Sequence, residues 1–384
     1  MKTAVYINSI ASISPLGTTS EEIWNNYKND HHYISKHDFL GTEAFAAFLP
    51  SEIKEKLNEL KQMEPRFKDL DNSVLYAIYV SREALKLAGW KKGADIGINI
   101  GSSRGATQLF EKHHRQFVET QKVNVLASPS TTLGNISSWV AQDLQSSGPE
   151  ISHSVTCSTG LHAVLNGVVW LQSGFANRFI VGGSEAALTP FTIAQMKAMK
   201  IYASKENEYP CLALDLEKPY NSMVLGEGAG SLSISNEKEN SIAKITGVGY
   251  ATEKLKHSVS ISANATCFQR SMKMALGDKN ADEIDAIVMH APGTIKGDVA
   301  ELNAIKALFG GEHPAVTSNK WKIGHTFGAS GILSMELAIL MLQHNTFIEV
   351  PFAKISKAPK RLQTILVNAV GFGGNAVSIL ISKN

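Results

Sequence analysis

Cysteine is scarce in this chain. Cys157, Cys211 and Cys267 stand far apart among 384 residues, too few and too scattered for a secreted disulfide framework or a cysteine-rich zinc site. A reducing cytoplasm suits such a composition. Charge of one sign is also missing: 37 Lys and Arg against 35 Asp and Glu leave a formal net charge of +2, too little to hold nucleic acid non-specifically. With 12 prolines, 19% charged and 43% hydrophobic residues, the chain is neither disordered nor collagen-like. No run of about 18 uncharged apolar residues occurs, so no membrane span is expected. Near the start, Asn8, Ser9 and Ser12 interrupt the apolar run before it has signal-peptide quality.

What is present is an alternation of short β-branched runs with longer segments of helical period, the pattern of an α/β protein. Ile96 to Ile100 reads as a buried strand closed by Gly101, and Ser152 to Thr156 as a second strand. A helix follows from about Gly160 to Gln172, ended by Gly174, and then a strand from Phe179 to Val181 running into Gly182 and Gly183. The second half repeats the plan with a strand from Ile284 to His290, a turn at 291–294 and a helix from Asp298 to Leu308. A short strand at Ala315 to Thr317, a helix from Gly328 to about Leu342 and strands at Thr364 to Val370 and Val377 to Ile381 complete it. The helix after Cys157 and the helix after His325 occupy equivalent places. This reads as a duplicated α/β fold with halves 1–238 and 239–384, its reactive groups at strand and helix ends where crevices of such folds lie. Residues 25–70 and 239–283 are weaker in pattern and read as insertions or connections.

Cys157 precedes Ser158-Thr159-Gly160 at the start of an apolar helix. Helix amides and the positive end of the helix dipole favour a thiolate there, so its pKa is expected to fall and the residue to act as a nucleophile. A free cysteine is equally a small buried hydrophobe. Two histidines in matched contexts make catalysis the better reading than satisfied core residues: His290 closes a strand before a glycine turn, and His325 follows Gly324 before Phe327-Gly328-Ala329. Cys157, His290 and His325 lack the close pair spacing of common zinc motifs, so no metal is expected. His31-His32 and His113-His114 read as solvated surface pairs. The loop Gly371-Phe372-Gly373-Gly374-Asn375 lies between two strand-like runs, where one of its amides has the freedom to pair with that of Cys157 around a developing oxyanion. No Walker motif is present, and Gly226-Glu227-Gly228-Ala229-Gly230 does not follow a strand as a dinucleotide fingerprint would, so no nucleotide cofactor is expected.

These residues resemble the elongating β-ketoacyl-[acyl carrier protein] synthases of the thiolase-fold superfamily over nearly the whole chain. The resemblance is carried by 155–163, by His290-Ala291-Pro292-Gly293-Thr294 with Asp298 and Glu301, by Lys320 through His325, by 328–331, by 371–374 and by 226–230. It implies a thiolase-like fold with duplicated halves in an α-β-α-β-α layering and no cofactor. Cys157 would be acylated from an acyl carrier protein, and malonyl carrier protein would then enter the same site. His290 and His325 would polarise the malonyl thioester and promote decarboxylation, so that the enolate attacks acyl-Cys157. Lys320 would organise the site together with Glu301. The amides of Cys157 and Phe372 would form the oxyanion hole, the Phe372 ring with Gly373 beside it would gate the site, and Thr294 would contact the pantetheine arm. A thiolase would need a second reactive cysteine near the C-terminal glycine loop, and an initiating synthase would carry Asn at position 325.

The chain departs from the family in ways that bear on substrate. Pro292 replaces a pantetheine-contacting threonine and Ala291 a glycine. Arg104 falls where the family has an apolar residue at the mouth of the acyl pocket; a guanidinium there needs a carboxylate or a π-face. A short, polar, unsaturated or aromatic acyl chain is the expectation, in a specialised polyene or polyketide pathway. The resemblance also implies a homodimer, or a heterodimer with a second ketosynthase-like subunit. The alternative reading is a non-catalytic, chain-length-determining subunit, which would lack the active cysteine. Arg66, Lys68, Lys197 and Lys200 are the candidate basic residues for docking the acidic carrier.

Overall fold

The computed structural model describes residues 4–133, 135–254, 261–353, 355 and 357–384. Ten strands form one sheet: β1 (Val5–Ile13), β2 (Gly97–Gly101), β3 (Glu150–Ile151), β4 (Arg178–Glu185), β5 (Gly228–Ser235), β6 (Ala243–Thr252), β7 (Ala286–Val288), β8 (Ala315–Thr317), β9 (Thr364–Gly371) and β10 (Asn375–Ser382). Their order is β8-β7-β9-β10-β6-β1-β5-β4-β2-β3. Read inward from either edge, each half places its third, second, fourth, fifth and first strand in the same sequence. The three outer strands are parallel and the inner pairings antiparallel in both halves. The halves join where Val5, Tyr6 and Ile7 pair with Ile245, Lys244 and Ala243.

This is the duplication expected from the sequence, with three corrections. The stretch 243–252, taken as a connection, is the first strand of the second half, and 266–276 is a helix packed on it. In the first half, 25–70 contributes two strands of a small second sheet and a helix at Ser51–Met63. The strand expected at Ser152 to Thr156 lies earlier, at Glu150–Ile151. Thr156 turns into left-handed backbone with φ +49°, which a pleated strand does not allow.

Two helices fill the space between the half-sheets, α1 (Thr159–Ser173) and α2 (Ser330–His344), and each touches strands of both halves. Helix α2 is apolar on every side and buried without a break from Ser330 to Leu342, as a helix between two sheets must be. With the turn before it, at 327–344, it is long and apolar enough to cross a membrane, yet 89% of it is buried inside the protein. Close approach of the turn depends on glycine: a Cβ on Gly183 of β4 would stand 2.5 Å from the Gly328 carbonyl oxygen. His32 and His113, read as surface, are half-buried, and His32 Nε2 lies 2.9 Å from the Glu208 carbonyl oxygen.

Glu336 is the buried carboxyl of α2. Ser12 donates to its Oε1 at 2.7 Å, Oε2 has no hydrogen-bond partner among the described residues, and burial pushes the carboxyl up to about 7. Between pH 4.5 and 7 the folded chain therefore holds a proton that the unfolded chain has lost, so stability falls as pH rises through that window. Glu336→Gln is expected to be more stable than wild type at pH 8 by on the order of 3 kcal/mol, with the gain gone at pH 4. Chemical denaturation at both pH values checks this. A variant no more stable than wild type at pH 8 would contradict it.

Candidate active site

A chamber of about 440 Å³ opens where the ends of the two halves meet, and its walls include Cys157, His290, His325, Thr294, Glu301 and Phe372. The topology brings them together. Cys157 precedes α1 on the first half, while His290 follows β7 and His325 precedes α2 at equivalent places on the second. Phe372 sits in the tight turn between β9 and β10. The two imidazoles stand edge to face, with ring centroids 5.1 Å apart and planes at 90°.

Burial keeps both histidines neutral. His325 is lowered to about 3 by burial and by the Lys320 charge, and its Nδ1 lies 3.2 Å from Ser330 Oγ, leaving Nε2 as the second ring nitrogen. His290 is lowered well below the ordinary histidine value by burial, by His325 and by Lys320. Two neutral imidazoles offer an N–H each to an oxygen that gains negative charge.

One expectation about charge is overturned. Burial, with the Glu185 carboxylate behind it, pushes the Cys157 thiol up to about 12 rather than down, while Lys320 pulls the other way. Desolvation outweighs the helix amides in the resting site. Lys320 and Glu301, expected to act together, do not form an ion pair. Lys320 Nζ donates to Asn319 Oδ1 at 2.8 Å and to Ser334 Oγ at 3.2 Å. Glu301 accepts from the amides of His290 and Ala291 at 3.0 and 2.9 Å and from Asn368 Nδ2 at 3.2 Å. The carboxylate thus fixes the backbone of the histidine turn, and Lys320 acts on it only through space; burial lowers this lysine to about 8.

Arg104 does not line the chamber. It lies on a neighbouring open cleft of about 810 Å³ with Phe110, Val118, Phe191 and Gln195. Its guanidinium found a π-face, as its chemistry required: Cζ is 5.8 Å from the Phe327 ring, and Nη2 donates to Gln195 Oε1 at 2.6 Å. Phe327 faces the chamber, so the Arg104–Phe327 stack stands between chamber and cleft. Thr294 caps the helix Ile295–Phe309 by accepting from Gly297 N at 3.2 Å. Gly373, with φ +94°, makes the turn behind Phe372. Of the docking candidates, Lys200 is exposed at the chamber mouth, and Lys296, missed in the sequence, joins it. Lys197 donates to the Glu43 carbonyl oxygen at 2.7 Å, and Lys68 is exposed but is not among the chamber's lining residues. Arg66 is committed to Glu64 at 2.6 Å and faces Asp143.

Glu185 is the main residue the sequence reading missed. At the end of β4 it accepts from Ser102 Oγ and from the amides of Ser103, Arg104 and Gly328 at 2.8–3.1 Å, binding the Arg104 loop to the turn before α2. Its signal was a single carboxylate ending an otherwise apolar and glycine run, Phe179 to Ser184.

Known proteins share this fold. The family model "Beta-ketoacyl synthase, N-terminal domain" matches residues 2–240, and "Beta-ketoacyl synthase, C-terminal domain" matches 242–351. The 3-oxoacyl-[acyl-carrier-protein] synthase 2 of Staphylococcus aureus (strain COL) is 27% identical, with 99% of this chain and 98% of that protein covered. Among solved structures, the ishigamide ketosynthase/chain length factor superposes with a TM-score of 0.86 at 19% identity, 99% of each chain covered. A type II polyketide ketosynthase in complex with its acyl carrier protein gives 0.85 at 20%, again over 99% of each. Matched family models over most of its length, on a duplicated fold with one cysteine and two histidines facing one chamber, show that this chain belongs to the beta-ketoacyl synthase family.

Proposed function

We propose that the chain condenses an acyl group held on Cys157 with malonyl carrier protein, releasing carbon dioxide and a 3-oxoacyl thioester. The observation that carries this assignment is the meeting of Cys157, His290, His325 and Phe372 around one chamber. In the loading step, sulfur of Cys157 attacks the acyl thioester and the carrier thiolate leaves, taking up the proton that Cys157 gives away. Lys320 and the amides at the start of α1 favour the thiolate at the moment of attack. In the second step the His290 and His325 N–H groups hold the malonyl thioester oxygen. Carbon dioxide departs and leaves the electron pair in an enolate, whose carbon attacks the acyl carbon. The amides of Cys157 and Phe372 hold the resulting oxyanion, and collapse expels the Cys157 thiolate.

The acyl carrier protein is the partner this reading requires, with Lys200 and Lys296 at the mouth and Thr294 beside the arm. A dimer, homomeric or with a second ketosynthase-like subunit, is part of the same reading. Phe110, Val118 and Val125 are 62%, 60% and 91% exposed along one segment, an apolar surface that a partner subunit would cover. The boundary between halves at about residue 238 and a reducing cytoplasmic setting for three free cysteines belong to it as well. An unsaturated or aromatic acyl chain, as in polyene or polyketide assembly, is part of the same reading, with Phe327 the ring that such a chain would meet in the chamber.

Intact-mass spectrometry of wild type and Cys157→Ser, with a panel of acyl carriers followed by malonyl carrier, tests all of this. An acyl adduct is expected on wild type and none on Cys157→Ser. Malonyl carrier should convert that adduct to a product two carbons longer. Absence of any adduct would point to an obligate heterodimer whose second subunit must be supplied, and equal loading of saturated medium chains would remove the specialised substrate.

A further inference from the structure

The residues on either side of Cys157 grip the loop that carries Phe372. Ser158 Oγ donates to Asn375 Oδ1 at 2.7 Å, and Asn375 Nδ2 donates to the Phe372 carbonyl oxygen at 3.1 Å. Thr156 Oγ1 donates to that same oxygen at 3.4 Å. Thr156 is a β-branched residue held at φ +49°, a strained conformation that persists only where its surroundings fix it. Its side chain lies on Gly371, where a Cβ would meet Thr156 Oγ1 at 1.8 Å. Gly373 and Gly374 follow at φ +94° and +68°, so the Phe372 peptide lies between glycine pivots and has little intrinsic stiffness. The side chains of Thr156, Ser158 and Asn375 supply what the glycines do not.

We infer that Asn375 is a positioning residue which, clasped between Ser158 and the Phe372 carbonyl, sets the placement of the Phe372 loop relative to Cys157. The inference deepens the condensing reading, since a Phe372 amide in the oxyanion hole must be aimed at a point fixed by the nucleophile. The clasp ties that aim to the backbone on both sides of Cys157. It requires an N–H donor at position 375, because a carboxylate there would still accept from Ser158 but would face the Phe372 oxygen with like charge.

Deuterium exchange of the peptide spanning 371–375, measured on the unacylated full chain, separates the donor from the shape of the side chain. Asn375→Ala and the isosteric Asn375→Asp are both expected to exchange about tenfold faster than wild type. Both should lower the rate constants of loading and condensation about 10- to 100-fold, with KM for malonyl carrier within about threefold of wild type. Asn375→Asp matching wild type in exchange and in kcat would overturn the inference, since packing alone would then explain the residue. If neither variant folds, Thr156→Val removes the second bond to the same oxygen and is expected to raise exchange by a smaller factor; no rise would count against the clasp. Failure of wild type to load Cys157 would sink the condensing reading alone, because the exchange measurement does not depend on it.

Discussion

His325→Ala and His290→Ala are each expected to lower malonyl decarboxylation and condensation by about 10²- to 10³-fold, the usual cost of one preorganised donor to a developing oxyanion. Loading of Cys157 is expected to stay within about tenfold of wild type, because that step uses the amides rather than the imidazoles. The asymmetry follows from protonation. With His325 lowered to about 3 and His290 well below the ordinary value, neither ring is an imidazolium at neutral pH. Each gives one N–H to the thioester oxygen as it takes up the electron pair that carbon dioxide leaves behind. Their rings stand 5.1 Å apart in perpendicular planes, so the two donors approach from different directions and one does not replace the other. Release of carbon dioxide from carboxyl-labelled malonyl carrier and intact mass of the loaded enzyme read the two steps separately. A histidine variant that failed to load yet decarboxylated normally would reverse these roles.

Much of this site was legible before any coordinates. Strand and helix periods placed Cys157 and His325 at matched helix starts, and the structure gives both halves one strand order, which is why the matched positions converge on one chamber. Charge was not legible. A helix start argues for a lowered thiol, but the argument omits burial, the larger cause, and then Glu185, 28 positions away in sequence and brought behind Cys157 by strand pairing. Lys320 and Glu301 are expected to organise the site together, and only the fold shows that each spends its hydrogen bonds on other partners. The strand at 243–252 was missed because two of its buried positions are Gly247 and Gly249, which show no apolar side chain in the sequence, a weak signal that pairing with β1 and β10 overrides. Position 104 was read as the mouth of the acyl pocket, and its arginine lies one aromatic ring away from the chamber, on the far side of Phe327.

Asp298→Asn is expected to destabilise the protein by about 3–5 kcal/mol, the range for removing one partner of a buried ion pair. Asp298 and Lys218 are buried, with Nζ 2.8 Å from Oδ2. The same carboxylate accepts from the amides of Leu214 and Gly293, each at 3.1 Å, and so joins the 211–218 segment to the turn after His290. Without the negative charge, the Lys218 ammonium keeps neutral acceptors alone, the Asp215 carbonyl oxygen at 2.7 Å and the amide oxygen that replaces the carboxylate, and its buried charge is uncompensated. Denaturant unfolding measures the loss. Asp298→Leu combined with Lys218→Met removes both charges and is expected to recover much of the stability that Asp298→Leu alone loses, because well-packed apolar residues replace a buried pair at little cost. Activity should not recover with it. The Gly293 amide still lacks an acceptor in the double variant, so the turn that carries Thr294 beside the chamber stays loosened, and KM for carrier substrates is expected to remain raised. A double variant that recovered both stability and KM would show that the pair serves the fold alone.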